Sequence, residues 1–168
     1  MKKNKTFLNL DMDGVLADIV TPFLIKANVK FGTDVKYEDI TEHKIETFFG
    51  IENTTEVLSY LLELLKTGEY WREVPPVIGA VEAVRELKEH FDLVILTAGQ
   101  LGSAPFRALW AKEVFGLSEN QIIITPQKHR VHGILVDDFD ENVLNRPSSI
   151  LFKQPWNINS RNKNVSFD

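Results

Sequence analysis

Residues 6–14, which read TFLNLDMDG, place a short apolar run directly before Asp11 and Asp13. The run Thr6–Leu10 has the length and apolar character of a strand that is buried on both faces. Asp11 and Asp13 then stand where this strand runs out into a loop, which is where open α/β sheets bind ligands. Residues two apart in an extended segment point the same way, so both carboxylates can share a ligand if the extended geometry continues that far.

Neighbouring carboxylates repel each other, and the sequence leaves open how the repulsion between Asp11 and Asp13 is relieved. A divalent cation can neutralise both, or one carboxylate can take up a proton and serve as a general acid. A turn closed by an Asx-type hydrogen bond is the alternative without chemistry. A calcium-binding loop is excluded, because it requires glycine at its sixth position and Gly14 comes fourth.

Along the rest of the chain, apolar strand-like runs alternate with segments of helical periodicity. Apolar residues recur at helical spacing through residues 81–87 and 106–115. This alternation is typical of an α/β domain with a parallel sheet. We therefore predict a Rossmann-like, three-layer α/β fold with strands at Thr6–Leu10, Leu93–Leu96, Ile122–Ile124, Ile134–Val136 and Ile150–Phe152.

More than eighty residues separate the first two predicted strands, far more than one crossover helix needs. Apolar residues around Phe23–Phe31 and Val57–Leu65 repeat at helical spacing within this stretch. The sequence Val74-Pro75-Pro76 is a stiff segment that leads the chain back to the main domain, because proline fixes its backbone and lacks an amide donor. We predict that a small helical cap is inserted after the first strand, with residues 19–73 as the cap and residues 1–18 and 74–168 as the main domain.

The composition limits the class of protein. The absence of cysteine among 168 residues excludes disulfide scaffolds, thiolate zinc sites, iron–sulfur clusters and cysteine nucleophiles. A net charge of −5 disfavours the wrapping of duplex nucleic acid, so no nucleic-acid polymer is expected as a partner. Without a signal-peptide pattern or an apolar run of about 18 residues, we expect a soluble cytoplasmic protein with no membrane contact. The oligomeric state is left open, a homodimer included, and the polar tail Pro155–Asp168 is expected at the surface.

A second acidic pair, Asp137 and Asp138, follows the predicted strand Ile134–Val136. In a parallel sheet this pair emerges at the same edge as Asp11 and Asp13. Alone, an Asp-Asp pair is most simply a loop feature. Three or four acids that converge would repel strongly without a cation, and their oxygen ligands suit Mg²⁺. The sequence therefore predicts a magnesium site at Asp11, Asp13, Asp137 and Asp138.

Thr97 ends the second predicted strand and is followed by Ala98 and Gly99. A hydroxyl beside free backbone N–H groups can form a phosphate-binding site. Lys128 follows the third strand, where an ammonium would hold a phosphoryl oxygen and offset the acids. Taken singly, Thr97 is an ordinary strand terminus and Lys128 a solvated lysine. Their combination with the two acidic pairs indicates phosphate chemistry.

With its motifs in this order, the chain resembles the haloacid dehalogenase-like phosphohydrolases. The motifs span the predicted main domain, with Asp-x-Asp-Gly at residues 11–14, then Thr97, Lys128 and the Asp137-Asp138 pair. The resemblance implies a Rossmann-like core, a cap after the first strand and a Mg²⁺-dependent phosphomonoesterase. It implies that Asp11 is the nucleophile that forms an aspartyl-phosphate.

The same resemblance implies roles for the other motif residues. Asp13 protonates the leaving oxygen and then activates water, while its main-chain carbonyl binds magnesium. Asp138, supported by Asp137, binds the metal, and Thr97 and Lys128 bind phosphoryl oxygens. The chemistry is consistent, since a carboxylate nucleophile divides ester hydrolysis into two in-line displacements whose spread negative charge the cations stabilise.

A closer resemblance is to the 5′(3′)-deoxyribonucleotidases. It rests on residues 11–18, 76–84 and 134–138, and on Pro155-Trp156-Asn157. It implies a deoxyribonucleoside monophosphate as substrate, with its base held between aromatic cap residues. Stacking of this kind contributes about 1–3 kcal/mol per ring. The substrate-binding residues predicted on this basis are Phe23, Phe48, Tyr70 and Trp71, with Ala98 and Gly99 beside the phosphate.

Two features leave other interpretations open. Amphipathic helices bury aromatic residues in their own core, which is a purely structural role. Ala98-Gly99 stands where the resembled family usually has Ser-Pro, so a side-chain phosphate donor is missing, although glycine permits close backbone approach. A phosphatase for a sugar phosphate or a nucleic-acid 3′-phosphate is the alternative within this class. A non-catalytic nucleotide-binding or regulatory protein is the alternative outside it.

Overall fold

A parallel β-sheet organises the chain. The computed structural model describes residues 5–50, 52, 54–144 and 146–160, and residues 164–165 by their backbone. The predicted Rossmann-like fold is confirmed, and all five predicted strands lie within one residue of their expected ends. In the described ranges the strands are β1 (Phe7–Leu10), β2 (Asp92–Thr97), β3 (Ile122–Ile124), β4 (Ile134–Asp137), β5 (Ser149–Phe152) and β6 (Asn164–Val165).

The strand order is β3-β2-β1-β4-β5-β6, and every neighbouring pair is parallel. From β1 the chain builds β2 and β3 on one side and then crosses to β4 on the other side of β1. Open α/β sheets bind ligands at the carboxyl edge where the strand order reverses in this way. Leu10 in β1 is in register with Ile95 and Val136 on its two neighbours, so the residues that follow these strands meet at one edge.

Helices connect the strands and form most of the segment between β1 and β2. Four of them confirm the predicted helical patterns. The short third and sixth helices were not predicted, because six and five residues are too few to show a helical period. No helix in the described ranges combines the length and apolar character that crossing a bilayer demands. The α-helices are α1 (Val20–Phe31), α2 (Thr54–Leu64), α3 (Gly68–Glu73), α4 (Ala80–His90), α5 (Ala104–Phe115) and α6 (Asp140–Leu144).

Helix α5 brings a charged residue to the interior. It has proline in its first turn, where the fixed φ of proline fits and no intrahelical hydrogen bond is lost. It ends at Gly116, whose φ of 61° is the left-handed conformation that favours glycine. The buried residues of α5 are Arg107, Trp110, Ala111 and Phe115.

Residues 19–73 lie between β1 and α4, and their buried apolar side chains belong to one hydrophobic core together with those of β1 and β2. Phe23 packs edge to face on Phe49, with 5.7 Å between ring centroids, an arrangement that aromatic pairs favour. At the neck of this segment, Ala17 forms an antiparallel bridge with Pro76, so the chain returns to the point where it left. The division into a cap and a main domain stays a prediction.

The prediction that the tail Pro155–Asp168 lies at the surface is wrong for its first residues. Asn157 is buried, and its side chain donates hydrogen bonds to the main-chain oxygens of Asp138 at 2.8 Å and Phe152 at 2.7 Å. Residues 164–165 then pair with β5. Asn157 is buried because its side chain satisfies buried carbonyl groups, which the polar character of the sequence does not reveal. Residues 161–163 and 166–168 lie outside the described residues.

Candidate active site

The loop after β1 holds Asp11 in a fixed position. The Asp11 amide donates to the main-chain oxygen of Val136 at 2.8 Å, which extends the pairing of β1 with β4 by one residue. The chain then turns, because the amides of Leu16 and Ala17 both donate to the oxygen of Met12. Asp11 Oδ1 accepts from the Met12 amide at 2.7 Å. The loop therefore orients one oxygen of the Asp11 carboxylate and leaves the other to its surroundings.

Gly14 is required in this loop for two independent reasons. Its φ of 74° lies in the left-handed region, which strains any residue with a side chain. A Cβ atom at Gly14 would also lie 2.3 Å from Asp138 Oδ2, far inside van der Waals contact. The glycine of the Asp-x-Asp-Gly motif thus lets the β1 loop approach the carboxylate that follows β4.

Lys128 joins the two acidic pairs. Its ammonium lies 2.7 Å from Asp11 Oδ2 and 2.7 Å from Asp137 Oδ2, and the residue is only 3% exposed. A short 3₁₀ turn, Lys128–Arg130, carries it, and Arg146 donates to the main-chain oxygen of Lys128 at 2.9 Å. Burial opposes the charged ammonium, but Asp11 and Asp137 outweigh it and raise the pKa of Lys128 to about 12. The lysine is therefore a fixed cation in the site.

Three buried carboxylates converge on this point. Asp11, Asp137 and Asp138 each offer an oxygen within 4.8 Å of the others. Burial raises the pKa of Asp11 to about 7, Lys128 opposes this rise, and the neighbouring carboxylates add to it. Burial, followed by the charges of Asp11 and Asp137, also raises the pKa of Asp138 well above its usual range. One ammonium does not balance three carboxylates, so the cluster favours a further cation or bound protons.

The two residues of the second acidic pair have different surroundings. Both Asp137 oxygens accept hydrogen bonds from protein donors, namely Lys128 at 2.7 Å, the Phe139 amide at 3.0 Å and the Asn142 side chain at 3.1 Å. Asp138 Oδ2 accepts from Trp156 Nε1 at 2.8 Å. Asp137 is thus engaged in holding Lys128, and Asp138 has the greater capacity for a ligand.

Asp13 is separate from the carboxylate cluster. Its side chain forms an ion pair with Arg107, and the same Arg107 nitrogen, Nη1, donates to Thr97 Oγ1 at 3.1 Å. The extended geometry of β1 does not continue to Asp13, because the chain turns after Asp11. The Asp13 carboxylate is not one of the three that could hold a metal together. Sequence reasoning missed Arg107, because a charged residue on an amphipathic helix normally faces solvent.

A cavity of about 350 Å³ opens above these residues. Its volume is within the usual range for small-molecule sites. Two of its lining residues, His43 and Phe139, stack with ring centroids 4.3 Å apart and planes 15° apart. The floor is mostly polar, and the wall from residues 19–73 is mostly apolar, with Glu42 and His43 as its polar members. The floor comprises Asp11, Asp13, Ala98, Gly99, Arg107, Lys128 and Asp138, and the wall includes Val20, Phe23, Ile40, Ile45, Leu61, Leu62 and Leu65.

Of the aromatic residues predicted to bind substrate, only Phe23 lines this cavity in the described part of the chain. The structure does not bring Phe48, Tyr70 or Trp71 to it, and this corrects the expectation. The Tyr70 hydroxyl donates to the main-chain oxygen of Ile19. Trp71 Nε1 donates to the oxygen of Leu65 at 2.9 Å, inside the core. Helical periodicity cannot distinguish an aromatic residue that packs in a core from one that faces a ligand.

Comparison with known proteins identifies the family. A family model described as "5′ nucleotidase, deoxy (Pyrimidine), cytosolic type C protein" matches residues 5–166 of the chain. The chain belongs to this nucleotidase family. A relative from Bordetella pertussis, named "Putative 5′(3′)-deoxyribonucleotidase", is 34% identical over 141 residues, which are 77% of this chain and 72% of the relative. A relative of the same name from Staphylococcus epidermidis is 24% identical over 155 residues, 89% of this chain and 84% of the relative.

Solved structures show the same fold. A haloacid dehalogenase-like hydrolase from Streptococcus pneumoniae superposes with a TM-score of 0.63 at 14% identity and covers 98% of the nucleotidase and 94% of its own chain. A hydrolase of this class from Bacillus subtilis, solved with bound magnesium, has a TM-score of 0.54 at 18% identity, with 97% and 95% covered. The resemblance drawn from the sequence motifs is confirmed. The nucleotidase is a phosphomonoester hydrolase, and its substrate is a small-molecule phosphate.

Proposed function

We propose that this nucleotidase removes phosphate from deoxyribonucleoside monophosphates through an aspartyl-phosphate on Asp11, with Mg²⁺ as cofactor. The observation that carries the proposal is the pair formed by Asp11 and Lys128 at 2.7 Å on the floor of the cavity. The oxygen of a buried carboxylate can attack the phosphoryl group, and a fixed ammonium beside it can neutralise the negative charge that the phosphoryl group brings. Such placement of nucleophile and cation is the main requirement of phosphoryl transfer.

The reaction proceeds in two displacements. A carboxylate oxygen of Asp11 attacks phosphorus, the bond from phosphorus to the ester oxygen breaks, and Asp13 gives that oxygen a proton. Asp13 then takes a proton from water, whose oxygen attacks phosphorus and releases inorganic phosphate and free Asp11. Asp13 suits both steps because it lines the cavity and its side chain is 31% exposed, so protons can reach it. Thr97 and Lys128 hold phosphoryl oxygens while the charge redistributes.

The residues present fit a magnesium ion. Their ligand atoms are all carboxylate oxygens, which Mg²⁺ prefers, and the three buried carboxylates carry more charge than Lys128 offsets. We assign the ion to Asp11 and Asp138, since both carboxylates line the cavity, whereas Asp137 is not among its lining residues and holds Lys128. The main-chain carbonyl of Asp13 completes the protein ligands in this assignment. When bound, the ion neutralises negative charge on the phosphoryl group and on the acids.

Magnesium should stabilise the protein more at alkaline than at acidic pH. The pKa of Asp11 is raised to about 7 by burial, so the folded metal-free protein retains a proton that the unfolded chain has lost. Its free energy of unfolding should therefore fall as pH rises from about 4 to about 7. At about pH 8 the ion binds an already ionised carboxylate, whereas at about pH 5.5 it must displace a proton.

The measurement for this prediction is the rise in melting temperature on adding Mg²⁺ at both pH values. We expect the larger rise at the higher pH, and little rise in the Asp138→Asn variant, which lacks one proposed ligand. Equal rises at both pH values, or an unchanged rise in Asp138→Asn, would contradict the assignment of the metal ligands.

The names of the relatives and the shape of the cavity support the proposed substrate class. The relatives are named for deoxyribonucleotides. The polar floor suits a phosphate, and the apolar wall with the stacked pair of His43 and Phe139 suits a sugar and base. In this proposal residues 19–73 act as a cap over the substrate, and Phe23, whose side chain is fully buried, supports the apolar wall that faces the base.

A substrate panel tests this proposal. Deoxyribonucleoside 5′- and 3′-monophosphates, ribonucleoside monophosphates, sugar phosphates and a 3′-phosphorylated oligonucleotide should each be assayed with and without Mg²⁺, with Asp11→Asn as the blank. We expect the highest kcat/KM on a deoxyribonucleoside monophosphate and no turnover without the ion. Higher kcat/KM on a sugar phosphate or on the oligonucleotide would assign the substrate to that class. No turnover on any phosphomonoester would overturn the proposed function.

A further inference from the structure

Arg107 is buried beside the catalytic loop, although it belongs to none of the sequence motifs. It is 3% exposed, and it projects from the first turn of α5 to line the cavity. Its Nε donates to Ser103 Oγ at 3.0 Å, and its Nη1 donates to Thr97 Oγ1 at 3.1 Å and to Asp13 Oδ1. A buried guanidinium is costly unless its donors are used. The side chain of Arg107 is therefore held in position by these three hydrogen bonds.

Gly99 makes room for this side chain. A Cβ atom at residue 99 would lie 2.4 Å from Nε and 2.5 Å from Cδ of Arg107, and the nearest atoms to that position all belong to Arg107. The backbone of Gly99 is not left-handed, so its φ does not require glycine. The absence of a side chain at residue 99 thus serves the placement of Arg107.

Trp71 supports the guanidinium from the other side. The Arg107 Cζ atom lies 5.1 Å from the centre of the Trp71 ring, within range of a cation–π contact. Trp71 is itself held in place, since its Nε1 donates to the main-chain oxygen of Leu65 and its ring centroid lies 6.0 Å from that of Trp110. This gives Trp71 a role behind the site in place of the predicted contact with the base.

The guanidinium has donors left for a ligand. It carries five N–H groups, of which the two on Nη2 make no hydrogen bond to any residue in the described ranges. Because Arg107 lines the cavity floor, these donors are available to an anion there. Guanidinium groups are well suited to phosphate, since their planar forks match its oxygens.

We propose that Arg107 is a phosphoryl-binding residue of this active site, in which Nη2 donates to a phosphoryl oxygen while Nη1 holds Asp13 and Thr97 in position. The inference rests on the proposed phosphatase function, and it names the side-chain donor that Ala98 and Gly99 do not provide. It also gives the partly exposed Asp13 carboxylate, on the floor of the cavity, a buried ion-pair partner.

The test compares Arg107→Ala, Arg107→Lys and Gly99→Ala with Arg85→Lys, an exposed arginine on α4, as the matched control. Affinity for inorganic phosphate, measured by titration calorimetry with Mg²⁺ present, is the readout besides turnover. We expect phosphate affinity to fall at least tenfold in Arg107→Ala and kcat/KM to fall on the order of 100-fold, the usual effect of removing one electrostatic donor. Arg107→Lys should retain only part of the wild-type phosphate affinity and kcat/KM, because an ammonium lacks the planar fork of donors that a guanidinium has.

Gly99→Ala separates a chemical role of Arg107 from a structural one. The added methyl group should displace Arg107 and weaken phosphate binding in the wild-type background, and it should have no further effect in Arg107→Ala, which has no side chain to displace. Dilute guanidinium, with urea as the control solute, should restore turnover to Arg107→Ala. Unchanged phosphate affinity in folded Arg107→Ala or Arg107→Lys would overturn the proposal. Additive losses of phosphate affinity from Gly99→Ala and Arg107→Ala in the double variant would also overturn the proposal.

Failure of the proposed function would look different. In that case the wild-type protein would show no turnover on any phosphomonoester, whereas the calorimetric comparison of wild type with the Arg107 and Gly99 variants would still decide whether Arg107 binds phosphate.

Discussion

Asp11→Asn should reduce turnover by roughly 10⁴-fold or more, because it removes the nucleophile on which both displacements depend. The substitution keeps the size of the side chain, and the oxygen of asparagine can still accept from the Met12 amide that Asp11 uses at 2.7 Å. Removal of one of three converging carboxylates also relieves repulsion. We therefore expect the folded protein to persist with its melting temperature unchanged or raised.

The matched control is Asp92→Asn, an exposed carboxylate at the amino end of β2 and so at the opposite edge of the sheet. Steady-state assays should show wild-type turnover for this variant. Retention of more than about one thousandth of wild-type turnover by Asp11→Asn would remove Asp11 as the nucleophile, since loss of one electrostatic contact alone accounts for losses of about 10²–10³.

Lys128→Ala should affect both catalysis and stability. Loss of a fixed cation at the phosphoryl group should cost roughly 2–4 kcal/mol of transition-state stabilisation, about 10²–10³ in kcat. The substitution also leaves Asp11 and Asp137 buried without the ammonium that lies 2.7 Å from each of them. Breaking a buried ion pair on one side destabilises proteins by about 3–5 kcal/mol.

Urea unfolding and steady-state kinetics on the same preparations measure the two effects. Lys153→Ala, which removes an exposed lysine beyond β5, is the control and should change neither. Lys128→Met keeps the aliphatic stem, so it should be more stable than Lys128→Ala but equally poor in turnover. A kcat/KM near the wild-type value in either Lys128 variant would contradict the role of the ammonium.

The position of the site could be predicted from the sequence because it depends on strand ends. Strands buried on both faces read as short apolar runs, so the residues that follow each strand can be located in the sequence. In a parallel sheet these ends meet at one edge whatever the loops do. Asp11, Lys128 and the Asp137-Asp138 pair were found in this way, and the structure brings all four residues together.

The helical contributions to the site could not be read from periodicity. On α5 the apolar Leu109 is 54% exposed, whereas the charged Arg107 is buried. Arg107 is buried because Asp13 and Thr97, distant in sequence, accept its hydrogen bonds. For the same reason Trp71 was assigned to the substrate, whereas its ring lies beneath Arg107. Partners of this kind become visible only when the elements are packed together.

Trp156 and Asn157 show a third limit. They lie in a polar tail that favours the surface, yet Trp156 donates to the side chain of Asp138 and Asn157 to its main chain. A hydrogen bond from a tail to a site residue leaves no periodic trace in the sequence. Only the resemblance to deoxyribonucleotidases, which included Pro155-Trp156-Asn157, marked these residues.

The central claim is that Asp11 carries the phosphoryl group, and trapping that group tests it most directly. In Asp13→Asn the water that releases Asp11 is no longer activated, while 4-nitrophenyl phosphate needs no acid for its leaving group. The Asp13→Asn variant should therefore accumulate the aspartyl-phosphate at Asp11 when it reacts with 4-nitrophenyl phosphate. Borohydride reduces this acyl phosphate to homoserine. Peptide mass spectrometry after a borohydride quench should find homoserine at residue 11, with a burst of about one nitrophenolate per protein. A nitrophenolate burst with residue 11 still aspartate, or with homoserine at another residue, would contradict the account.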